Sequence, residues 1–415
     1  MGAMREVQNQ SPAAVGLPEA RLLLCCARTS KDSETASRIK ALLQEDIDWA
    51  RLLGLARKHR LTPLLCWHLG VGNAEAVPKH VLEQLRAYFH HNSLRNLQLT
   101  RELLRLIRMF EARGVPVIPY KGPTLAAFAY GNFALREFID LDILVHKQDI
   151  PRARELLTSM EYREQNRLTR AQETAFLESQ REYVFVHESG SVVELHWAVT
   201  PRILSFPLDP ESLWGRVGKV AIGGDAVLTF SPEDIMLLLC VHGSKHLWYR
   251  LAWICDVAEL IRVTETMDWE RLLDRASHLG AQRMLFLGLY LANGLLGAAL
   301  PRTVLEKLQT DPAIIPLARQ VQVWLFQESG EETDIFARGR DDASSFHPFR
   351  VKIRERLRDK AAYVARATLV PTPEDWELLP LPKPFFPLYY ALRPVRLSGR
   401  YGQRILTWLQ HSSKQ

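Results

Sequence analysis

The chain has 415 residues, enough for two or three domains, and its 47% hydrophobic and 24% charged residues are the balance of a globular protein. No apolar run approaches the roughly 20 residues that span a bilayer, and the opening Met1-Gly-Ala-Met4 is followed by polar residues rather than a signal-peptide core. The net charge of +6 permits an anionic substrate without demonstrating nucleic-acid binding; five cysteines without a Cys-x-x-Cys pair argue against a disulfide framework and read as buried thiols of a cytoplasmic protein.

Residues 17–112 read as helical. Leu22, Leu23 and Leu24, then Ile39, Leu42 and Leu43, then Trp49, Leu52, Leu53 and Leu55 recur at helical spacing, interrupted at Pro63 and Gly70-Val-Gly72. A long helix is expected over Lys79–Arg113, ending at Gly114. The period then changes. Val115–Tyr120 is a short extended run, Lys121-Gly122-Pro123 a turn, and Thr124 a cap for a helix to Tyr130. Phe138–Val145 is a strand, and Asp149 caps a helix running from Pro151 to about Met160. Glu182–His187 and Val192–Val199 form a hairpin across Glu188-Ser-Gly-Ser191. A second hairpin turns at Gly223-Gly224-Asp225, and Ser231-Pro232-Glu233-Asp234 opens a helical stretch reaching about Gln327. Residues 328–347 read as an acidic linker. Arg350–Arg366 reads as a basic helix with a solvated or an anion-binding face, followed by a proline-rich extended stretch.

The chemistry gathers around Arg136-Glu-Phe-Ile-Asp140-Leu-Asp142-Ile-Leu-Val145. On a strand, alternate side chains share a face, so Asp140 and Asp142 point one way while Leu141 and Ile143 enter the core. Two like charges side by side are costly unless a cation lies between them, and carboxylate oxygens suit Mg²⁺. Alone, an Asp-x-Asp is as readily a solvated strand edge. Four further elements give it context. Lys121-Gly122 would let backbone approach a phosphate, with Lys121 adding charge. Arg136 suits either a phosphate or an aspartate. Glu194 in Val192-Val-Glu-Leu-His196-Trp offers a third carboxylate if its strand lies beside the aspartate strand, with His196 on the same face. His242 and His246 lie one helical turn apart with Lys245 adjoining. Their spacing alone would suit zinc, but no third ligand follows at a convincing interval, and a polar wall contacting phosphate or base fits better. Each element also has a structural reading as turn, ion pair, hairpin or core histidine.

These residues resemble the DNA polymerase β-type nucleotidyltransferase superfamily, and most closely a bacterial family of uncharacterised nucleotidyltransferases. The similarity rests on Lys121-Gly122, Tyr130, Arg136, Asp140-Leu-Asp142-Ile-Leu-Val145, Glu194-Leu-His196-Trp197 and the run from His242 to Asp256-Val-Ala258. Ala56-Arg-Lys-His59-Arg60 and Pro371-Thr-Pro-Glu-Asp375-Trp376 add to it. The chain departs from the wider superfamily where Gly122-Pro123 replaces a Gly-Gly or Gly-Ser turn and Glu194 stands where Asp is commoner.

The resemblance implies an α+β fold: a small mixed-sheet core over residues 113–203, flanked by a helical region at 1–112, a small hairpin and helical domain at 204–330, and a basic, proline-rich region at 331–415. It implies transfer of a nucleoside monophosphate from an NTP to a hydroxyl or phosphate acceptor, with two Mg²⁺ held by Asp140, Asp142 and Glu194. Lys121, Gly122, Arg136, His196, His242, Lys245 and His246 are then expected on the nucleotide. The acceptor is left open among a small molecule, a peptide or protein, and RNA. The alternatives are a non-catalytic, antitoxin-like nucleotide- or partner-binding protein that keeps the fold, and a phosphate hydrolase.

Overall fold

The computed structural model describes residues 16–398, apart from residues 71, 166–168, 201–203, 205, 328–345 and 380. Met1–Met4 and most of the expected linker at 328–347 thus lie outside the described residues. Helices α1 (Pro18–Cys26), α2 (Ser33–Leu42), α3 (Trp49–Lys58) and α4 (Thr62–Leu69) precede α5 (Lys79–Ala112), which is 34 residues long. Asp32 and Asp48 cap α2 and α3 by accepting from the Thr35 and Arg51 amides. At 1.5 Å per residue α5 spans about 50 Å. Its first half (Val81, Leu82, Leu85) packs with the helical body, and its second half (Leu103, Leu106, Phe110) lies under the sheet.

That sheet is mixed. Strands β1 (Ile118–Pro119), β2 (Asp140–Leu144), β3 (Arg163–Glu164), β4 (Glu182–Val186) and β5 (Val192–His196) run in the order β1-β2-β5-β4-β3. Only the central β2–β5 pair is parallel. A parallel pair needs a crossover, and this one carries α7 (Ile150–Ser159) and α8 (Arg170–Ser179), the latter not anticipated from sequence. β1 is shorter than the extended run 115–120, whose Pro116 has no N–H to donate to a ladder. The helix α6 (Gly122–Leu125) begins two residues before the expected cap, leaving Thr124 inside it. Alternation divides the sheet: Leu141, Ile143, Tyr183, Phe185, Val193 and Leu195 are buried against α5 and α7, while the polar side chains share the other face.

After α9 (Glu211–Trp214), the hairpin β6 (Val217–Ile222) and β7 (Asp225–Phe230) leads into α10 (Pro232–Lys245), capped by Ser231 accepting from Asp234 N at 3.2 Å. Helices α11 (Leu251–Val263), α12 (Trp269–Leu279), α13 (Gln282–Leu296), α14 (Arg302–Leu308) and α15 (Ile314–Phe326) share one apolar core with α1–α4. This helical body faces the polar side of the sheet.

The C-terminal part corrects the sequence reading. The basic stretch Arg350–Arg366 forms two helices, α16 (Pro348–Lys352) and α17 (Leu357–Leu369), and part of the proline-rich stretch is helical as α18 (Pro373–Leu378), because Pro373 sits where a helix needs no N–H. Several basic residues are structural. Arg350 is buried and donates Nε and an Nη to the Lys245 carbonyl at 2.9 and 2.7 Å; Arg354 reaches the Arg350 and Leu204 carbonyls, and Arg356 those of Ser277 and His278. The Arg350 and Arg356 guanidiniums thus close the C-terminal ends of α10 and α12, where carbonyls lack helical donors.

Candidate active site

Parallel pairing puts Asp142 directly opposite Glu194 and Asp140 opposite Val192. The antiparallel β4 then sets Glu182 opposite His196. The period of two therefore gathers Asp140, Asp142, Glu194, His196 and Glu182 on one face. Two buried asparagines of α5 fix the approach to β2: Asn92 donates to the Ala134 carbonyl at 3.0 Å, and Asn96 to those of Phe133 and Arg136 at 2.6 and 2.7 Å. Gly122 adopts φ +48°, and a Cβ there would stand 3.2 Å from the Asp140 carbonyl. Glycine thus lets the turn lie against β2 and aims Lys121 inward.

Lys121 Nζ lies 2.7 Å from Asp142 Oδ1. His196, with no exposed surface, sets Nε2 3.1 Å from Asp142 and 3.3 Å from Glu194, and Nδ1 3.0 Å from Glu182. Burial opposes charge on the imidazole, but Glu182, Asp142 and Glu194 outweigh it and raise its pKa. Burial likewise opposes charge on Asp142, yet Lys121 and His196 hold its carboxyl well below the usual range. Glu194 is drawn down to about 2, against burial, chiefly by His196. Asp140 has no such bond. Burial, then Asp142 and Glu194, push it up to about 6. Arg181 donates to Glu182 at 2.8 Å and completes the charge cluster.

The opposite wall is α10. His242 and His246 lie together as expected, ring centroids 4.6 Å apart, and both pack on Trp253 at 5.3 and 5.2 Å. Burial, then neighbouring lysines, hold both well below the usual histidine range, so both are neutral. Gly243 makes the turn possible: a Cβ there would lie 2.5 Å from the indole of Trp248, which is fully buried and folds back over the helix. Lys245 is 8% exposed and, among the described residues, its ammonium has no hydrogen bond or ion pair. Burial, then Arg181, lowers it to about 7. It lines a small cavity with Tyr120, Lys121, Arg181, Phe230 and His242, and Lys121 there is also the partner of Asp142.

Two expectations change. Arg136, left open between a phosphate and an aspartate, is paired with Asp256 of α11: Nε and an Nη donate to its two oxygens at 2.8 and 3.0 Å, and Tyr130 Oη donates at 2.7 Å. Its guanidinium ties the core to the helical body. His196 is walled in behind the carboxylates rather than placed on a nucleotide. Arg181, Glu182 and Asp256 were missed. The signal for Glu182 was its place in Glu182-Tyr-Val-Phe-Val186, whose alternation puts it on the face opposite Tyr183 and Phe185.

Asp142, Glu194 and His196 each offer a ligand atom within 4.8 Å of the others. With Asp140 alongside, its pKa raised by burial and then by its fellow acids, the set fits a divalent cation.

Residues 45–297, more than half of the chain, match the sequence model of a family described as uncharacterised nucleotidyltransferase. The chain belongs to that family. The match spans α3 through α13, and so includes every residue of the site described above. The crystal structure of an antigenic nucleotidyltransferase-like protein from Paracoccidioides brasiliensis is similar over 50% of this chain and 96% of that chain, with 17% identity and a TM-score of 0.31. None of the curated proteins matches. Within this nucleotidyltransferase family member, among the described residues, no helix is long and apolar enough to cross a membrane.

Proposed function

We propose that the protein transfers a nucleoside monophosphate from an NTP to an acceptor hydroxyl or phosphate, with Mg²⁺, as a polymerase β-like nucleotidyltransferase. The observation that carries this reading is the row of Asp140, Asp142 and Glu194 on adjoining strands, with Lys121 bonded to Asp142 and Arg181 to the neighbouring Glu182. Acids and cations side by side suit a metal–triphosphate complex, which carries charge of both signs.

Asp140, Asp142 and Glu194 would hold two divalent ions. Bound there, they supply Lewis-acid polarisation of the phosphoryl oxygens. The chain's residues do the rest. Lys121 leaves its pairing with Asp142 to meet a phosphate. Lys245 and Arg181 neutralise charge gathering on the departing pyrophosphate. An acceptor oxygen attacks the α-phosphorus, the α–β bridging bond breaks, and pyrophosphate leaves with the electron pair. Glu194, held at about 2 by His196, and Asp140, engaged with the cations, are both poorly placed to take the acceptor's proton, which then passes to solvent water. His196 orients Asp142 and Glu194 from behind, as outer-layer histidines do.

The test is incubation with α-labelled NTPs, Mg²⁺ and an extract as acceptor source, beside the Asp140→Asn/Asp142→Asn variant. Labelled acceptor with free pyrophosphate, absent from the variant, is expected. Failure of the wild type to bind any NTP in Mg²⁺ would sink the reading. Release of inorganic phosphate alone would make the protein a hydrolase.

A further inference from the structure

Two guanidiniums near the site have no part in the reaction as described. Arg60 follows α3, and Arg250 precedes α11. Among the described residues neither has a hydrogen bond or a carboxylate partner. Arg250 lies only over rings, 5.2 Å from the centre of Tyr249 and 5.6 Å from that of Trp253. Arg60 is close enough to Arg250 for their charges to repel, with Asp140 and Glu137 within electrostatic reach but unpaired with it. Glu137 instead accepts from Tyr88 Oη at 3.0 Å.

This placement is built. His59 is wholly buried; its Nδ1 accepts from Leu251 N at 3.2 Å, its Nε2 donates to the Leu325 carbonyl at 3.0 Å, and its own carbonyl accepts from Ala252 N at 3.3 Å. The clasp joins the end of α3 to the start of α11 and to α15. It also forces Arg60 into φ +55°, a left-handed conformation that costs a non-glycine residue of order 1 kcal/mol. Such strain, and two like charges side by side, persist where surrounding structure imposes them.

The site has two cationic ends. Lys121 Nζ sits on Asp142 and shares a cavity with Arg181 and Lys245, whereas Arg250 sits over Trp253, the ring on which His242 and His246 pack. Lys121, Arg181 and Lys245 thus form one cationic group beside Asp142, and Arg60 with Arg250 form a second, with Asp140 in electrostatic reach of Arg60. A triphosphate taken by the first group leaves the second facing whatever attacks it. Guanidinium forks match phosphate bidentately, and the rings hold the Arg250 fork in orientation.

We propose that Arg60 and Arg250 bind a phosphate carried by the acceptor, so that the acceptor is a phosphate ester or a nucleotide. This rests on the nucleotidyl-transfer reading. The full-length wild type is compared with Arg60→Gln, Arg250→Gln, the charge-keeping Arg60→Lys and Arg250→Lys, and Lys245→Gln. One arm measures fluorescent ATP with Mg²⁺. The other fills the donor side with a non-hydrolysable ATP analogue and titrates inorganic phosphate, glucose 6-phosphate or uridine 5′-monophosphate. The Gln variants are expected to lose tenfold or more in the second arm while holding ATP within about threefold, with the Lys variants intermediate and Lys245→Gln the reverse. Equal loss for all three probes means a bare phosphate socket; a greater loss for the nucleotide means that the aromatic wall adds a base contact. A tenfold loss of ATP in the Gln variants, or wild type binding none of the second-arm probes, overturns the assignment. If no variant and no wild type binds ATP, it is the nucleotidyl-transfer reading that fails.

Discussion

Replacing Asp256 separates two accounts of Arg136. The structure gives this arginine a carboxylate partner that is 2% exposed, through two charge-assisted hydrogen bonds, with Tyr130 donating to the same carboxylate. Burial opposes the charge on Arg136, and Asp256 more than compensates, raising its pKa. Asp256→Asn keeps the size and one acceptor oxygen but removes the charge. Breaking a buried pair from one side costs about 3–5 kcal/mol, because the other charge is left uncompensated. The Arg136 side chain retains 13% exposure, which places the expected loss near the lower end, about 3 kcal/mol.

Urea unfolding followed by tryptophan fluorescence reads this directly. Arg136→Met should cost a similar amount, and the double variant Arg136→Met/Asp256→Asn should cost less than the sum by about 2 kcal/mol, since neither charge is then stranded. Binding of fluorescent ATP by Arg136→Met, measured where the variant is still folded, should stay within a few-fold of wild type. Additive losses below about 1 kcal/mol each, with ATP binding abolished in Arg136→Met, would refute the structural account and return Arg136 to the phosphate.

Other consequences follow from the same cluster. Asp140, with a pKa of about 6, must lose a proton to bind a cation; Mn²⁺ affinity by calorimetry should be level above pH 7 and fall with acidification below 6, and Asp140→Asn should flatten that slope. Lys245 has a folded pKa of about 7, below the ordinary lysine value, so the unfolded chain binds more protons between about 7 and 10.4. Its unfavourable contribution is therefore full below 7 and fades as pH rises through that window, and Lys245→Met should remove this gain from the stability–pH profile. NTP binding at pH 8 should take up a proton on the same lysine, seen as a buffer-dependent enthalpy that Lys245→Met abolishes. Gly243→Ala sets a methyl against Trp248 and should cost about 1–3 kcal/mol despite alanine's better helix propensity, read as a lowered urea midpoint.

What could be read from the chain follows the range of the forces involved. The Asp140–Asp142 pair was legible because strand alternation is local and the flanking Leu141 and Ile143 fix which face is wet. Glu194 was legible only conditionally: the sequence places it on a strand, but its position opposite Asp142 depends on a parallel crossover of some fifty residues. The fates of the cations were the hardest to foresee. Arg136 looks the same in sequence whether it meets phosphate or Asp256, which lies 120 residues away on another element. The row from Arg350 to Arg366 has the look of a solvated face, yet Arg350 and Arg354 are buried on carbonyls. Charge alone does not say whether an arginine meets a ligand or a helix end, because its long side chain can satisfy either. The structure separates the two by elimination. Guanidiniums already engaged with carbonyls or carboxylates hold the fold together, whereas Arg60 and Arg250 have no such partner among the described residues, which is the ground for proposing them as ligand-binding groups.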